Sequence, residues 1–171
     1  MKHANYNQTN LFDLTQVLAN PNEKFKVSFE FMPQQSLVGN NPYKFVGAGQ
    51  FSGYFWLDEQ LHLQGTVIVP TQFVCSRCGA KFEQNLFVEV NEVLTDNNAD
   101  DEHFSYTGNK IDLDDLVAQI IASNIPSQAL CKEDCLGVCQ YCGVNLNEQK
   151  CNCDKKLRGN NPFASLMDKF N

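Results

Sequence analysis

This chain of 171 residues has few histidines and lacks the sequence motifs of common enzymes. The three histidines are His3, His62 and His103, and no nucleophile or metal ligand stands at a recognisable spacing from any of them. The nucleophile elbow G-x-S-x-G, the protease motif H-E-x-x-H and the phosphate loop G-x-x-x-x-G-K-[S/T] are missing from the sequence. The sequence therefore predicts a protein that is not an enzyme.

Long apolar runs are missing as well. No stretch approaches the roughly 18 consecutive apolar residues of a membrane-spanning helix. Residues 1–10 contain no apolar segment of the kind that a secretory signal has. We therefore expect a cytoplasmic protein with no membrane partner, in a compartment where thiols stay reduced.

Basic residues are outnumbered. The chain has 13 Lys and Arg against 20 Asp and Glu, for a formal net charge of −7. Residues 83–115 hold ten of the acids and one base, Lys110. We interpret this acidic block either as a solvated surface or as a surface for a basic partner, such as a basic tail or a ribosomal protein. In the second case Asp100, Asp101 and Glu102 are the candidate partner-binding residues.

Cysteine is what the chain has in excess, with eight residues. Six follow the pattern C-x3-C-x3-C-x2-C-x8-C-x-C between Cys131 and Cys153, and Cys75 and Cys78 form an earlier C-x2-C pair. The pairs at 75/78 and 139/142 are each followed by glycine, which supplies the left-handed conformation that a metal-binding knuckle often needs. Eight thiolates can fill two four-coordinate sites, so we expect two structural zinc ions. The predicted ligands are Cys75, Cys78, Cys131, Cys135, Cys139, Cys142, Cys151 and Cys153.

Three other uses of these cysteines compete with zinc. A disulfide framework requires an oxidising compartment, which the expected location does not supply. A thioredoxin-type dithiol requires a C-x2-C pair at a strand-to-helix junction of a βαβ unit, and neither pair is so placed. An iron–sulfur cluster also takes four thiolates. The two glycine-backed knuckles favour zinc over all three.

The partition of the cysteines between two sites stays open at this point. Cys139 and Cys142 with Cys151 and Cys153 form a local unit, which the short loops between them make the cheaper site to assemble. The remaining four cysteines would then form a second site that joins the middle of the chain to its last third. A zinc ion with four thiolate ligands has no open position, so either site is expected to stabilise the fold rather than to catalyse.

Alternating apolar and polar residues predict five strands, at 24–31, 43–46, 50–56, 61–69 and 82–94. The last two flank the first cysteine pair, which places that pair at the tip of a long hairpin. Four glycines between Gly47 and Gly65 suggest bends or bulges in a curled sheet. Asp96 to Asn109 is polar and acidic, and a mobile loop is expected there.

Two helices are predicted in the first 130 residues. The first carries Leu11, Leu14 and Val17 on one face, with Thr9 or Asn10 as its cap. The second begins at the cap Asp112 and has an apolar stripe that ends before Pro126.

We therefore predict an α+β fold, with a curled antiparallel sheet, a few helices and a C-terminal cysteine-rich zinc module. The predicted core domain comprises residues 1–130 and carries the zinc knuckle at 75–79. The cysteine-rich module comprises residues 131–156, and residues 157–171 are a linker and a short terminal helix.

Three parts of the sequence carry a resemblance to a known family. They are the C-x-R-C of Cys75, Arg77 and Cys78, the cysteine string 131–153, and the terminal box Asn-Pro-Phe-Ala at 161–164. Together they resemble the YceD family, the large ribosomal RNA subunit accumulation proteins, over roughly residues 20–171. The resemblance implies that Cys75 and Cys78 pair with the Cys131/Cys135 region and that the four later cysteines form an optional second site. It offers no catalytic residues to carry over.

The resemblance also implies a role in the synthesis, processing or accumulation of large-subunit ribosomal RNA. We expect a non-catalytic ribosome biogenesis factor that acts through a basic ribosomal protein or the pre-ribosomal large subunit. The alternative from another class is a thiol-based redox or zinc-responsive regulator. Direct RNA binding is a third option that the net charge does not favour, with Lys155, Lys156 and Arg158 as its candidate phosphate contacts.

Overall fold

The computed structural model describes residues 10–96 and 104–153. Its strands are β1 (Leu11–Asp13), β2 (Phe25–Phe31), β3 (Lys44–Phe45), β4 (Gly49–Leu57), β5 (Leu61–Val74), β6 (Lys81–Thr95), β7 (Phe104–Ser105) and β8 (Lys110–Asp112). Its helices are α1 (Thr15–Ala19), α2 (Leu113–Asn124) and a short 3₁₀ helix (Gln35–Val38).

Six strands form the main sheet, in the order β2-β4-β5-β6-β7, with β3 beside the far end of β5. All of these pairs are antiparallel except β6 with β7, which is parallel. Within the described ranges β2 and β7 do not pair with each other, so the sheet is open. The predicted α+β class with an antiparallel sheet and a few helices is confirmed, and the five predicted strands correspond to β2 to β6.

The hydrophobic core lies on one face of this sheet. Alternate residues of the strands point to that face because side chains in a strand alternate between its two sides. Phe51, Phe55, Leu63 and Val67 of β4 and β5 are among its fully buried side chains. Helix α2 covers the face with a stripe of apolar residues at helical spacing, and these residues are Leu113, Leu116, Val117, Ile120 and Ile121.

The glycines of β4 and β5 make room for an aromatic ring. Gly53 and Gly65 are paired directly across the two strands, and the register there is continuous, so the predicted bulge is wrong at these positions. Cζ of Phe51 lies 2.8 Å and 2.9 Å from the places that a Cβ would take on Gly53 and Gly65. The ring therefore lies where the missing side chains would be.

The N-terminal helix is shorter than predicted. Leu11 to Asp13 form β1, which pairs antiparallel with β8, and α1 begins only at Thr15. The backbone N–H of Leu14 donates to Asn109 O at 2.8 Å, which fixes this segment against a part of the chain far away in sequence. A pairing partner so distant is not visible in a helical apolar pattern, and tertiary contacts overrode the local preference.

The start of α2 matches its prediction. The side chain of Asp112 accepts hydrogen bonds from the backbone N–H groups of Asp114 and Asp115, at 3.0 and 3.2 Å. These bonds satisfy donors that have no partner within the helix. Within the loop expected before it, Phe104–Ser105 pairs with the end of β6 as β7.

No helix in the described ranges has the length and apolar character needed to cross a membrane. The predicted linker and terminal helix at 157–171 lie outside the described residues.

We predict that Gly65→Ala lowers the free energy of unfolding by about 2 kcal/mol, because overpacking a filled core forces backbone or ring to move. The new Cβ would lie 2.5 Å from Ser52 O and 2.9 Å from the Phe51 ring. Urea denaturation measures this change. Ser52→Ala, on the exposed face of the neighbouring strand, is the matched control and should stay within about 0.5 kcal/mol of the parent. Equal losses in the two variants would contradict this account of the glycine pair.

Candidate metal centre

The eight cysteine sulfurs lie in two groups of four. Within each group the sulfur atoms all lie within 4.8 Å of one another. The first group consists of Cys75, Cys78, Cys131 and Cys135, and the second of Cys139, Cys142, Cys151 and Cys153. Each group could hold a metal ion.

Distances within the groups separate metal coordination from disulfides. The Cys75 and Cys135 sulfurs are 3.7 Å apart, and so are those of Cys78 and Cys131. A disulfide would bring two sulfurs to about 2.05 Å, and all eight cysteines are free. Four sulfurs at about 2.3 Å from a tetrahedral zinc ion would lie about 3.8 Å from one another. These two distances in the first group therefore match those of a four-sulfur tetrahedral site.

The second group is slightly more compact and more open to solvent. The Cys142 and Cys151 sulfurs are 3.6 Å apart, and the Cys151 and Cys139 sulfurs are 3.2 Å apart. Cys139 is buried, whereas Cys142 is exposed. In the first group Cys75 and Cys135 are both buried. Solvent therefore reaches the second group more easily than the first.

The first knuckle is the tip of the β5–β6 hairpin. Cys75 follows β5 directly, and its backbone N–H donates to Ala80 O at 2.9 Å. The N–H of Gly79 donates to Cys75 O, also at 2.9 Å, with Gly79 at a φ of 72°. Only glycine takes this left-handed conformation without a steric cost from Cβ. The turn therefore presents Cys75 and Cys78 on the same side.

The second knuckle repeats this geometry. The N–H of Cys139 donates to Val144 O at 2.8 Å, and the N–H of Gly143 donates to Cys139 O at 2.9 Å. Gly143 also has a φ of 72°. The prediction that the glycine after each C-x2-C pair adopts a left-handed conformation is confirmed at both knuckles.

Backbone donors make one thiol of the first group unusually acidic. Burial raises the pKa of Cys75, but hydrogen bonds from the backbone N–H groups of Cys131, Cys78 and Arg77 outweigh it and lower the pKa to about 6. The opposite holds for Cys131, whose pKa is raised to about 12 by burial and by the neighbouring sulfurs of Cys75 and Cys135. The first group thus combines thiols whose pKa is lowered with thiols whose pKa is raised.

The second group has the same division. Backbone N–H groups of Cys142 and Tyr141 lower the pKa of Cys139 to about 6, while the sulfurs of Cys151 and Cys142 raise the pKa of Cys153 to about 12. Four thiolates so close together repel one another, and a dication among them offsets that repulsion. The donor set in each group therefore fits a soft divalent metal ion, with no position left for water or substrate.

Arg77 fastens the hairpin tip to the loop that carries the other two cysteines of the first group. Its Nη1 donates to Glu133 O at 3.3 Å and to Cys135 O at 3.1 Å. A Cβ on Gly137 would lie 3.1 Å from Arg77 O, so the loop passes close to the knuckle. The guanidinium therefore binds carbonyl oxygens of the loop that carries Cys135.

Asn147 joins the two groups, and sequence reasoning missed it. Its Oδ1 accepts from the N–H of Leu136 at 2.9 Å, and its Nδ2 lies 3.4 Å from the Cys135 sulfur. Close by, the N–H of Leu146 donates to Gly137 O at 2.9 Å. A residue of the turn between Cys142 and Cys151 thus donates to a sulfur of the first group. Only the spatial proximity of the two groups reveals this role.

The chain after α2 reaches the knuckle along the end of β5. Ser76 N donates to Ala129 O at 2.8 Å, and Ala129 N donates to the Ser76 hydroxyl at 3.2 Å. Cys75 and Ala129 form a parallel bridge. These bonds place Cys131 beside Cys78, although the two are 53 positions apart in sequence.

The other candidate residues lie elsewhere. His62 is on the exposed face of the sheet, where its ring stacks on Trp56 at 5.0 Å and its Nε2 lies 3.0 Å from Asp58 Oδ1. It is in neither sulfur group. Asp100, Asp101 and Glu102, the predicted partner-binding residues, lie outside the described residues, as do His3 and His103.

Comparison with known proteins identifies the family to which these cysteines belong. The model of the large ribosomal RNA subunit accumulation protein YceD matches residues 61–168, a range that contains all eight cysteines. An Arabidopsis thaliana relative, the chloroplastic large ribosomal RNA subunit accumulation protein YCED homolog 1, is 25% identical over 147 residues, covering 66% of this chain and 46% of the relative. An uncharacterized Mycobacterium tuberculosis protein is 27% identical over 97 residues, covering 53% of this chain and 47% of the relative.

The chain spans just under half the length of these curated relatives. No solved structure matches it. Since the family model covers well over half of the sequence, including the hairpin and both sulfur groups, the chain belongs to the YceD family of large ribosomal RNA subunit accumulation proteins.

Proposed function

We propose that this protein supports the accumulation of large-subunit ribosomal RNA as a non-catalytic, cytoplasmic ribosome biogenesis factor whose fold is held by two structural zinc ions. The observation that carries the proposal is the family match over residues 61–168, which contains both four-sulfur groups. The name of the Arabidopsis thaliana relative supports the same role. The RNA role rests on this kinship, and the structural role of the metal rests on the geometry.

Zinc is the metal that the donor sets favour. Each group offers four sulfurs that all lie within 4.8 Å of one another, a donor set that zinc and iron–sulfur clusters share. The two glycine-backed knuckles are typical of structural zinc, and a site with four protein ligands leaves no position for a reacting molecule. A stabilising role for the metal therefore fits better than a catalytic one.

A basic partner is the second part of the proposal. The acidic block 83–115 carries a net charge of −9, so it repels nucleic acid phosphates and attracts cationic polypeptides. Ribosomal proteins are mostly basic, and an acidic factor could hold one until it reaches the RNA. Asp100, Asp101 and Glu102 are the proposed contacts within this block.

The competing proposal is a regulator that uses exposed thiols, and the exposed Cys142 is the observation in its favour. Thiol titration of the native protein separates the two roles, because metal-bound thiolates react slowly. Eight protected cysteines support the structural role. Two or more thiols that react quickly support the regulator.

We predict that the protein purified under reducing conditions carries two zinc ions per chain, since eight thiolates fill two tetrahedral sites. Elemental analysis measures the metal content. Cys139→Ser should lower it to about one ion, because the first group retains all its ligands. Iron in place of zinc, or a protein without metal and with all thiols free, would overturn this assignment.

We predict different consequences for the loss of one ligand from each group. Cys78→Ser should destabilise the whole described domain, because the first group joins segments more than 50 positions apart. Cys151→Ser should mainly lower protection in residues 136–153. Structural zinc contributes on the order of 10 kcal/mol in isolated modules, so both losses are measurable by amide hydrogen exchange. The same pattern of lost protection in both variants would contradict a two-site structure.

We predict that cells without this protein contain less large-subunit ribosomal RNA relative to small-subunit RNA, and RNA quantification measures the ratio. The parent gene and the Ser52→Ala control should restore the ratio, whereas Cys78→Ser should not. An unchanged ratio of large-subunit to small-subunit ribosomal RNA in the deletion strain would contradict the proposed function.

A charge variant tests the role of the acidic block. The triple variant Asp100→Asn, Asp101→Asn and Glu102→Gln should fold normally. In a pulldown from cells it should capture less ribosomal protein than the parent, and this capture should depend less on salt concentration. If capture and its salt dependence match the parent, the three carboxylates belong to a solvated surface only.

A further inference from the structure

Strand β6 is an edge strand over most of its length. It pairs with β5 from Lys81 to Leu94, while β7 occupies its other side only at Leu94 and Thr95. In residues 10–96 and 104–153, no backbone group pairs with the outer side of the segment 81–93. Strands average about six residues, so this free edge is long. An edge of this kind offers unpaired N–H and C=O groups to another strand.

The side chains along this edge alternate between the core and solvent. Leu86, Val88 and Val90 are buried in the core. Between them, Phe87 is 61% exposed, although it is a large apolar residue. Glu83 and Glu89 lie on the same solvent face and are also exposed. A strand added at this edge would therefore meet an apolar side chain between two carboxylates.

Charge decides what kind of strand fits. On β6 the acids Glu83, Glu89 and Glu92 outnumber the one base, Lys81. Opposite charges across neighbouring strands are stabilising, and like charges directly opposite are destabilising. Two copies of this chain joined edge to edge would bring one acidic strand against another. A second copy is therefore a poor occupant, and a basic strand is a good one.

The opposite edge of the sheet differs in charge. It is formed by β2, whose charged residues are Lys26 and Glu30, and which spans only residues 25–31. It is shorter than the β6 edge and has no excess of acid. The β2 edge can therefore serve as a control for the β6 edge, since the two edges belong to one sheet and differ in charge and length.

We propose that the outer edge of β6 receives an extended basic segment of a protein partner as an added β-strand. Lysine or arginine side chains of the segment would lie opposite Glu83 and Glu89, and an apolar side chain would lie opposite Phe87. Backbone hydrogen bonds would supply affinity and the alternate side chains specificity, as in other cases of strand addition. The inference rests on the basic partner of the proposed function and names how that partner binds.

A synthetic peptide, Lys-Thr-Val-Thr-Thr-Thr-Lys, tests this mode of binding on the full, metal-loaded chain. Read antiparallel to β6, it places its lysines opposite Glu89 and Glu83 and its valine opposite Phe87. We expect binding, with increased hydrogen-exchange protection in residues 81–93 and unchanged protection in β2. The same peptide N-methylated at its central residues should not bind, because it keeps the charge and loses the hydrogen bonds.

Charge variants of the protein provide the matched comparison. Glu83→Lys with Glu89→Lys should weaken binding by about tenfold, since two attractive cross-strand pairs become repulsive. Glu30→Lys on β2 makes a similar change at the other edge and should leave binding unchanged. The milder double variant Glu83→Gln with Glu89→Gln keeps the side-chain size and should weaken peptide binding less. It tests the same charge effect if the double lysine variant does not fold.

Several results would overturn the inference. They are no binding of the peptide, equal binding of its N-methylated form, protection at β2 instead of β6, or a stable dimer of the parent chain in sedimentation that excludes the peptide. None of them bears on the ribosomal RNA ratio in the deletion strain. Failure at the edge is therefore distinguishable from failure of the proposed function.

Discussion

The first sulfur group is the contact that joins the tip of the β5–β6 hairpin to the chain after α2, and the metal centre depends on it. The long β5–β6 ladder carries Cys75 and Cys78 to its tip, and the chain returns after α2 to add Cys131 and Cys135. Joining segments more than 50 positions apart costs loop entropy, which the bonds at this junction must offset. Arg77 and Ser76 hold the two segments together by hydrogen bonds to backbone groups of the returning segment.

The two sulfur groups share one knuckle geometry but differ in how deeply their cysteines are buried. Each knuckle aims backbone N–H groups at a thiolate and closes on a left-handed glycine. The first group is anchored at the end of the long β5–β6 ladder, whereas the second is held by a turn in which Asn147 also contacts the Cys135 sulfur. Damage to the second group is therefore expected to remain local, and damage to the first to spread through the domain.

Much of the fold and of the metal centre could be predicted from short stretches of sequence. The strands β2 to β6, the Asp112 cap and the glycine after each C-x2-C pair depend on neighbours within a few residues. The segment Leu11–Asp13 was predicted wrongly as helix, because its partner strand lies about 100 positions away. Bends or bulges were predicted at the glycines between Gly47 and Gly65, but Gly53 and Gly65 pair opposite each other without a bulge beside the Phe51 ring, a register that no local pattern contains.

The sequence by itself determined strands β2 to β6, helix α2, the sulfur donors and the acidic character of the chain, because these follow from local periodicity and composition. Only the tertiary structure decided which cysteines meet, which carbonyls Arg77 binds and which strand is left at the edge with its carboxylates. Those outcomes depend on distances between residues far apart in the chain. They are set by how the ladder, helix α2 and the returning segment pack together, and packing is a property of the whole domain.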